Sequence, residues 1–459
     1  MSTPSPSTPA TARPPPLHTV LPPLILGTAT FNTQYVADPL TMPYRAIVSR
    51  ALDLGVTAFD TSPYYGPSEI LLGTALDALM NPADASTPAV PRSSFRLVTK
   101  AGRIAGDEFD YSPAYIRYSV LRSLARLHTP YLDLVYTHDV EFVSPAEVLD
   151  AVRELRRLRD EEGVVRYVGI SGFPVDVLCE LAEMIYAETG EPLDAVLSYG
   201  HFTVQNRRLG LPWVGRDGRD GETEGQEEDK GVPLARLKAA GVDVVLNASM
   251  LGMGLLTSRG IPADSVAPSV VDEEWEESSP LAVWHPSPPE LRLACKKVAR
   301  IAEAAGERLE SVAIRWAMEE WARVGAAVGV VGPSPTGLRR VGATVCGVSS
   351  IAELEETVKE WREVLVGIED ALSIGLSSSS SVYNSARQKK VLELVEKELW
   401  PALETWKNFT WASPGAGFMN SRLAKDRGTA PDDGIMAAYN LAKQRTTNSL
   451  PAVNERRQV

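Results

Sequence analysis

Phe59-Asp60-Thr61-Ser62-Pro63-Tyr64-Tyr65-Gly66-Pro67-Ser68-Glu69 is the stretch on which the fold turns. The apolar run Gly55-Val56-Thr57-Ala58-Phe59 ends in a carboxylate, Asp60. A tyrosine, Tyr65, follows on a Pro/Gly-rich turn, and a helical pattern opens at Ser68. A buried strand that carries an acid to its C-terminal end, with a tyrosine on the next loop, is how parallel α/β proteins present reactive groups. Two further apolar runs end the same way. Val98-Thr99-Lys100 closes on a lysine, and Val135-Tyr136-Thr137-His138 on a histidine.

Outward from this point the chain alternates short β-branched runs with longer helical patterns. Strands are expected at Leu24–Gly27, Val56–Asp60, Arg96–Lys100, Leu132–Thr137, Tyr167–Ser171, Ala195–Tyr199, Val242–Asn247 and Ala343–Val348. Helices are expected near Tyr44–Leu54, Ser68–Leu79, Pro113–Leu127, Pro145–Glu162, Pro174–Glu188, Pro233–Ala240, Pro289–Ala305 and Ile351–Val366, several with a proline in the first turn. Strand–helix units repeated in this number predict an α/β fold, a (β/α)8 TIM barrel; an open doubly wound sheet is the alternative.

Residues 1–21, rich in Ser, Thr and Pro, read as a disordered leader, and 22–372 as the barrel. The barrel carries a Gly/Glu/Asp-rich loop insertion at 215–231 and a second at 325–342, whose Val-Val-Gly-Pro-Ser-Pro-Thr-Gly run suits a strand of its own. Residues 373–459 read as a C-terminal extension. It has a helix near 385–406, docking through Leu392, Leu394, Val395, Leu399 and Trp400, and then a largely disordered polar tail.

Composition narrows the function classes. At 459 residues, 44% hydrophobic and 23% charged, the chain is ordinary for a soluble globular protein. A net charge of −13 disfavours nucleic acid and anionic membrane surfaces as partners. Cys179, Cys295 and Cys346 are too far apart to suggest a disulfide framework or a zinc site, which points to a reducing, cytoplasmic compartment and to no metal. No apolar run approaches the ~20 residues of a membrane span. Nothing in the sequence sets an oligomeric state.

Hydride exchange at a carbinol or carbonyl carbon needs a positioned acid/base for the oxygen's proton. Tyrosine, with an ordinary pKa of about 10, needs help to act as a base near neutrality. A lysine ammonium stabilises its phenolate, an aspartate holds that lysine charged, and a neutral histidine can hydrogen-bond the substrate oxygen. Tyr65, Lys100, Asp60 and His138 match these needs, and they stand in the chain in the order Asp, Tyr, Lys, His. Singly, a helix cap, a surface lysine and a packed core histidine are commoner explanations. Jointly, at successive strand ends, they point to catalysis.

These residues, with Leu26-Gly27-Thr28-Ala29, Asp139 after His138, and Val168-Gly169-Ile170-Ser171-Gly172, resemble the aldo-keto reductase family over roughly 22–368. Leu197-Ser198-Tyr199-Gly200-His201-Phe202, the run from Asn247 to Thr257, and Trp284-His285-Pro286 are similar to its D-arabinose and L-galactose dehydrogenase branch.

The resemblance implies an NAD-dependent oxidoreductase, with NADP possible. Its substrate would be a small sugar, oxidised at the anomeric carbon to the lactone: D-arabinose first, then L-galactose or L-fucose. Another small aldehyde or alcohol, such as a pyridoxal-type substrate, and a non-catalytic barrel are the other readings. Implied cofactor contacts are Gly27, Thr28, Ser171, Ser198, Ser249, Leu251, Gly254, Gly347, Ser349, Glu353 and Glu356.

The pattern departs from the family at Ala248, where a tyrosine commonly stacks on nicotinamide, and at Gly172, Ser198 and Thr357. Ser350 and Glu353 carry no positive charge for a 2′-phosphate, which favours NAD; Arg339 and Arg340 are the cations to watch. His201 and His285 fall at the expected mouth, and Trp400, Trp406 and Trp411 read as packing residues.

Overall fold

In a computed structural model, residues 13–210, 231–262, 280–332, 339–373 and 386–440 are described. Eight parallel strands close into a barrel: β1 (Leu24–Gly27), β2 (Ala58–Asp60), β3 (Arg96–Ala101), β4 (Leu132–His138), β5 (Val165–Gly172), β6 (Ala195–Tyr199), β7 (Val244–Ala248) and, after the hairpin pair β8 (Val330–Gly332) and β9 (Arg339–Val341), β10 (Ala343–Gly347). The order around the barrel is β1-β10-β7-β6-β5-β4-β3-β2, back to β1.

Helices pack outside: α1 (Tyr44–Asp53), α2 (Ser68–Met80), α3 (Pro113–Arg126), α4 (Pro145–Asp160), α5 (Val175–Thr189), α6 (Pro233–Ala239), the short α7 (Leu281–Trp284), α8 (Pro289–Ala304), α9 (Leu309–Val324) and α10 (Ile351–Ser373). Local signals place their ends. Ser112 caps α3 ahead of Pro113, and Ser144 and Glu147 form a reciprocal capping box around Pro145 of α4.

Every residue of β4 is buried, yet the strand still alternates. Leu134 and Tyr136 join Ile25, Val98, Leu197 and Leu246 inside the barrel, while Val135 between them packs outward against helices. Side-chain direction therefore changes at each step along a strand, and this decides below which predicted residues reach the cleft.

The structure departs from expectation in four places. Helix α9 was not among the predicted elements. It is buried nearly all round, with Trp316 and Trp321 beside the buried charges Arg315 and Glu319, so it lacks the one-sided stripe that marks a surface helix.

The end of the expected leader is ordered. Leu17 and Leu21 close the barrel floor, Tyr167 Oη donates to Pro15 O at 2.5 Å, and His18 Nδ1 lies 2.6 Å from Asp243 Oδ1. Residues 1–12 lie outside the described residues.

The 325–342 segment folds as the antiparallel β8–β9 hairpin, and its Val330 joins the barrel-floor core. Gly329 is required there, because a Cβ would sit 2.0 Å from Val341 O. The 215–231 insertion falls almost wholly outside the described residues, as does the serine run at 377–381.

The C-terminal extension is helical from Ala386 to Leu403, through α11 (Ala386–Leu394), a π turn (Val395–Leu399) and α12 (Trp400–Leu403). Leu394, Val395 and Leu399 are buried, and Leu392 and Trp400 pack at the edge of the core. Beyond it, residues 407–440 do not behave as the disordered tail their polarity suggested.

They cross the barrel mouth as a strap. Asn408 N donates to Gln205 O at 2.7 Å, Asn420 Nδ2 to Phe109 O at 2.8 Å, and Tyr118 Oη to Asp433 at 2.6 Å. Arg422 pairs with Asp110 and Glu108. The strap's partners lie some 200 to 315 residues earlier in the chain, so no local pattern reveals the contact.

Candidate active site

The C-terminal ends of β2, β3 and β4, adjacent in the barrel, bring Asp60, Lys100 and His138 together, and the turn after β2 adds Tyr65. Lys100 Nζ donates to Asp60 Oδ1 at 2.6 Å and to Thr61 O at 2.9 Å, and lies 4.7 Å from the Tyr65 ring centre. His138 meets Tyr65 edge to face with ring centres 5.7 Å apart.

The other side of His138 is held by Ser62, whose Oγ lies 3.0 Å from Nδ1 and accepts from Tyr64 N at 3.1 Å. Because that Oγ already accepts, its own proton is best given to Nδ1. This leaves Nε2 as the protonated nitrogen, facing the cleft as a donor.

Burial governs the site's electrostatics. It pushes His138 down to about 3, with Lys100 and Arg103 adding to the effect and Asp139 opposing it, so the imidazole is neutral near pH 7. Burial alone would discharge Lys100, but Asp60 and Tyr65 outweigh it and raise the ammonium above its ordinary pKa. Burial also raises Asp60 against the opposing charge of Lys100; with the groups 2.6 Å apart the pair is ionised.

The same burial raises the Tyr65 phenol, and Lys100 offsets only part of that. The hydroxyl is therefore protonated near neutrality, ready as an acid.

These four residues line one part of a cleft of about 990 Å³. Gly27, Ser171, Ser249, Leu251, Gly254, Gly347, Ser349, Glu353 and Glu356 line it as well. Thr28 and Ser198 do not. Thr28 is buried behind the site, its hydroxyl on Ser68 Oγ and Asp60 O. Ser198 is buried between Leu197 and Tyr199, which line the cleft in its place because alternate strand residues face opposite ways.

Arg340 is at the opposite pole, donating to Asp243 O and Oδ1 at 2.8 and 3.0 Å, and Arg339 lies in the same floor hairpin. The cations in the cleft are Arg103, Arg259 and Arg308, besides Lys100. His201 bonds Tyr199 O and Thr410, and His285 bonds Gly252 O and Ser287 N, so both are structural.

Residues that sequence reasoning missed form the remaining wall. Gln34, Tyr64, Arg103 and Asp139 make a polar row, and Phe142, Trp284 and Trp411 an apolar one. Trp411 stacks on Phe173 with ring centres 4.7 Å apart and planes 13° from parallel. Arg103, three residues past Lys100, was within reach of the strand-end argument. Trp411 was not, since only the strap's path places it.

The cleft's size and two ends fit a nicotinamide dinucleotide beside a small substrate, since its volume reaches the top of the roughly 300–1,000 Å³ common for ligand sites. At the far end Glu353 accepts from Ser349 N at 2.7 Å and Ser349 Oγ at 2.9 Å, closing the N-terminus of α10 with a carboxylate.

Comparison with known proteins agrees with this geometry. The chain is 38% identical over 344 residues to D-arabinose 1-dehydrogenase of Saccharomyces cerevisiae, covering 74% of this chain and 83% of that protein. It is 29% identical over 362 residues to L-galactose dehydrogenase of Arabidopsis thaliana, covering 78% and 86%. Residues 23–369 match the Aldo/keto reductase family. The protein is therefore an oxidoreductase of the aldo/keto reductase family.

Proposed function

We propose that the enzyme is an NAD-dependent aldose 1-dehydrogenase. It takes the anomeric carbon of a cyclic aldose to the aldonolactone, with D-arabinose the first substrate to test and L-galactose and L-fucose next. The observation that carries this reading is the Asp60–Lys100–Tyr65–His138 cluster facing a cleft with a polar and an aromatic wall. The likeness to the yeast and plant sugar dehydrogenases supports the choice of sugar.

The nicotinamide cofactor, when bound, supplies the hydride acceptor. Gly27, Ser171, Ser249, Leu251, Gly254, Gly347 and Ser349 would hold it, with Glu353 and Glu356 at the far end. The chain's own residues handle the proton and the orientation. His138 Nε2 donates to the anomeric oxygen, and Tyr65 Oη receives that oxygen's proton as the carbon is oxidised. Lys100, held charged by Asp60, stabilises the Tyr65 phenolate that takes up this proton and becomes the neutral phenol. In the reverse direction Tyr65 is the acid.

Glu353 supports NAD as the cofactor, since a carboxylate suits a ribose hydroxyl and repels a phosphate. The test is NADH formation across a panel of aldoses, simple alcohols and pyridoxine. Turnover confined to aldoses supports the proposal; turnover only on the alcohols or pyridoxine sinks it.

A further inference from the structure

One charged residue of the cleft has no part in the proton path described above. Asp139, next to His138, is 2% exposed and lines the cleft wall. Its backbone is left-handed, with φ 57°, a conformation that most side chains resist and aspartate tolerates. That turn sets its carboxylate beside the imidazole: Oδ2 is 3.5 Å from His138 Nε2, the nitrogen that holds the reacting oxygen.

Arg103 also pairs with Oδ2, while its remaining nitrogens donate to Ala105 O and Gly106 O and its plane lies 3.8 Å over Tyr64. Oδ1 takes no hydrogen bond among the described residues. In a residue that lines the cleft, a carboxylate oxygen that no protein group engages is free to accept from a ligand hydroxyl. Burial would protonate Asp139, but the paired Arg103 guanidinium outweighs it and holds the carboxyl below its ordinary pKa, hence ionised and a strong acceptor.

We propose that Asp139 accepts a hydrogen bond from the hydroxyl on the carbon next to the reacting one, so that the enzyme selects aldoses with a free 2-hydroxyl. This rests on the aldose reading above and narrows it. The reacting hydroxyl cannot be the donor, because its proton goes to Tyr65, and the ring oxygen on the other side of the anomeric carbon has no proton. The vicinal hydroxyl remains. Oxygens on adjacent carbons lie close together, so a hydroxyl beside the one held by Nε2 comes within reach of a carboxylate whose Oδ2 is 3.5 Å from that nitrogen.

Glu141, the other buried acid nearby, does not line the cleft, and its Oε1 accepts from Phe173 N at 3.1 Å and Ser413 Oγ at 2.9 Å. Asp139 is thus a specificity-determining residue, distinct from the acid/base pair.

The experiment compares D-arabinose with its 2-deoxy and 3-deoxy counterparts in the full-length protein, with wild type and Asp139→Asn. Asparagine keeps the left-handed turn and an acceptor for Arg103, but removes the charge. Wild type should lose roughly 10- to 100-fold in kcat/KM on the 2-deoxy sugar, the size expected for a hydrogen bond to a charged group, and much less on the 3-deoxy sugar. Asp139→Asn should lose most of that discrimination, by falling on D-arabinose while holding its rate on the 2-deoxy sugar.

An equal loss on both sugars would make Asp139 a support for His138 and overturn the proposal. If the variant does not fold, the wild-type panel still decides, because equal rates on the 2-deoxy sugar also overturn it. No turnover on any aldose sinks the underlying reading as well, which separates the two failures.

Discussion

At the scale of single residues, each role in the site makes a separate measurement. Tyr65→Phe keeps the ring against His138 and removes the proton, so turnover should fall about 10²–10⁴-fold while cofactor affinity, read by fluorescence titration, stays put. A folded variant with normal turnover would remove Tyr65 from the mechanism. Because burial raises the phenol, oxidation needs its proton gone and should speed up as pH rises toward the alkaline side, whereas reduction should favour the acidic side. A pH-independent oxidation rate would contradict this.

Cofactor choice also rests on few atoms. Glu353 closes the start of α10, and the nearby cation Arg308 is engaged by Glu310 at 2.9 Å and Glu356 at 3.4 Å. We expect kcat/KM with NAD to exceed that with NADP by about tenfold or more. A preference for NADP would point to Arg259 or Arg308, and substituting each by alanine would tell which.

Elements add constraints that no single residue carries. Arg315 on α9, 2% exposed, reaches Glu360 at 3.0 Å and Glu363 at 2.7 Å on α10, and donates to Gln388 on α11 at 3.1 Å. Arg315→Ala would leave Glu319 buried without its partner and Glu360 with only Arg387, at 3.3 Å. It should cost about 3–5 kcal/mol in denaturant unfolding, the range for breaking a buried ion pair from one side. A loss below 1 kcal/mol would mean that the network is dispensable.

The strap is tied to the barrel through Glu141, which burial and then Asp139 raise to about 8 from an ordinary 4.5. Between those values the unfolded chain releases a proton that the native protein keeps, so this group erodes stability as pH rises from about 4.5 to 8 and adds nothing further above. Glu141→Gln cannot ionise. Its melting temperature should match wild type near pH 5 and exceed it by several degrees at pH 8, and a constant difference across that span would argue against the assignment.

For the whole molecule, the extension completes the structure. Val391, Leu394, Val395, Leu399 and Leu403 are buried by it, and Trp411 reaches the cleft along the strap. A chain ending at residue 384 should melt at least ~10 °C lower and bind sugar with a higher KM, checked by calorimetry and aldose titration. Unchanged values for both would make the extension an appendage.

The sequence by itself determined the eight barrel strands and the Asp60–Tyr65–Lys100–His138 cluster. Strand periodicity, capping signals at Ser112 and Ser144, and polar residues at the ends of apolar runs are local properties of a parallel barrel. It could not expose α9, whose all-round burial erases the amphipathic stripe, nor the facing of Thr28 and Ser198, which a one-residue change of register would reverse. Tertiary structure alone placed Arg340 at the barrel floor, Arg103 against Asp139, and Trp411 against Phe173. Those contacts join segments far apart in the chain, and only the closed barrel with its strap brings them within reach.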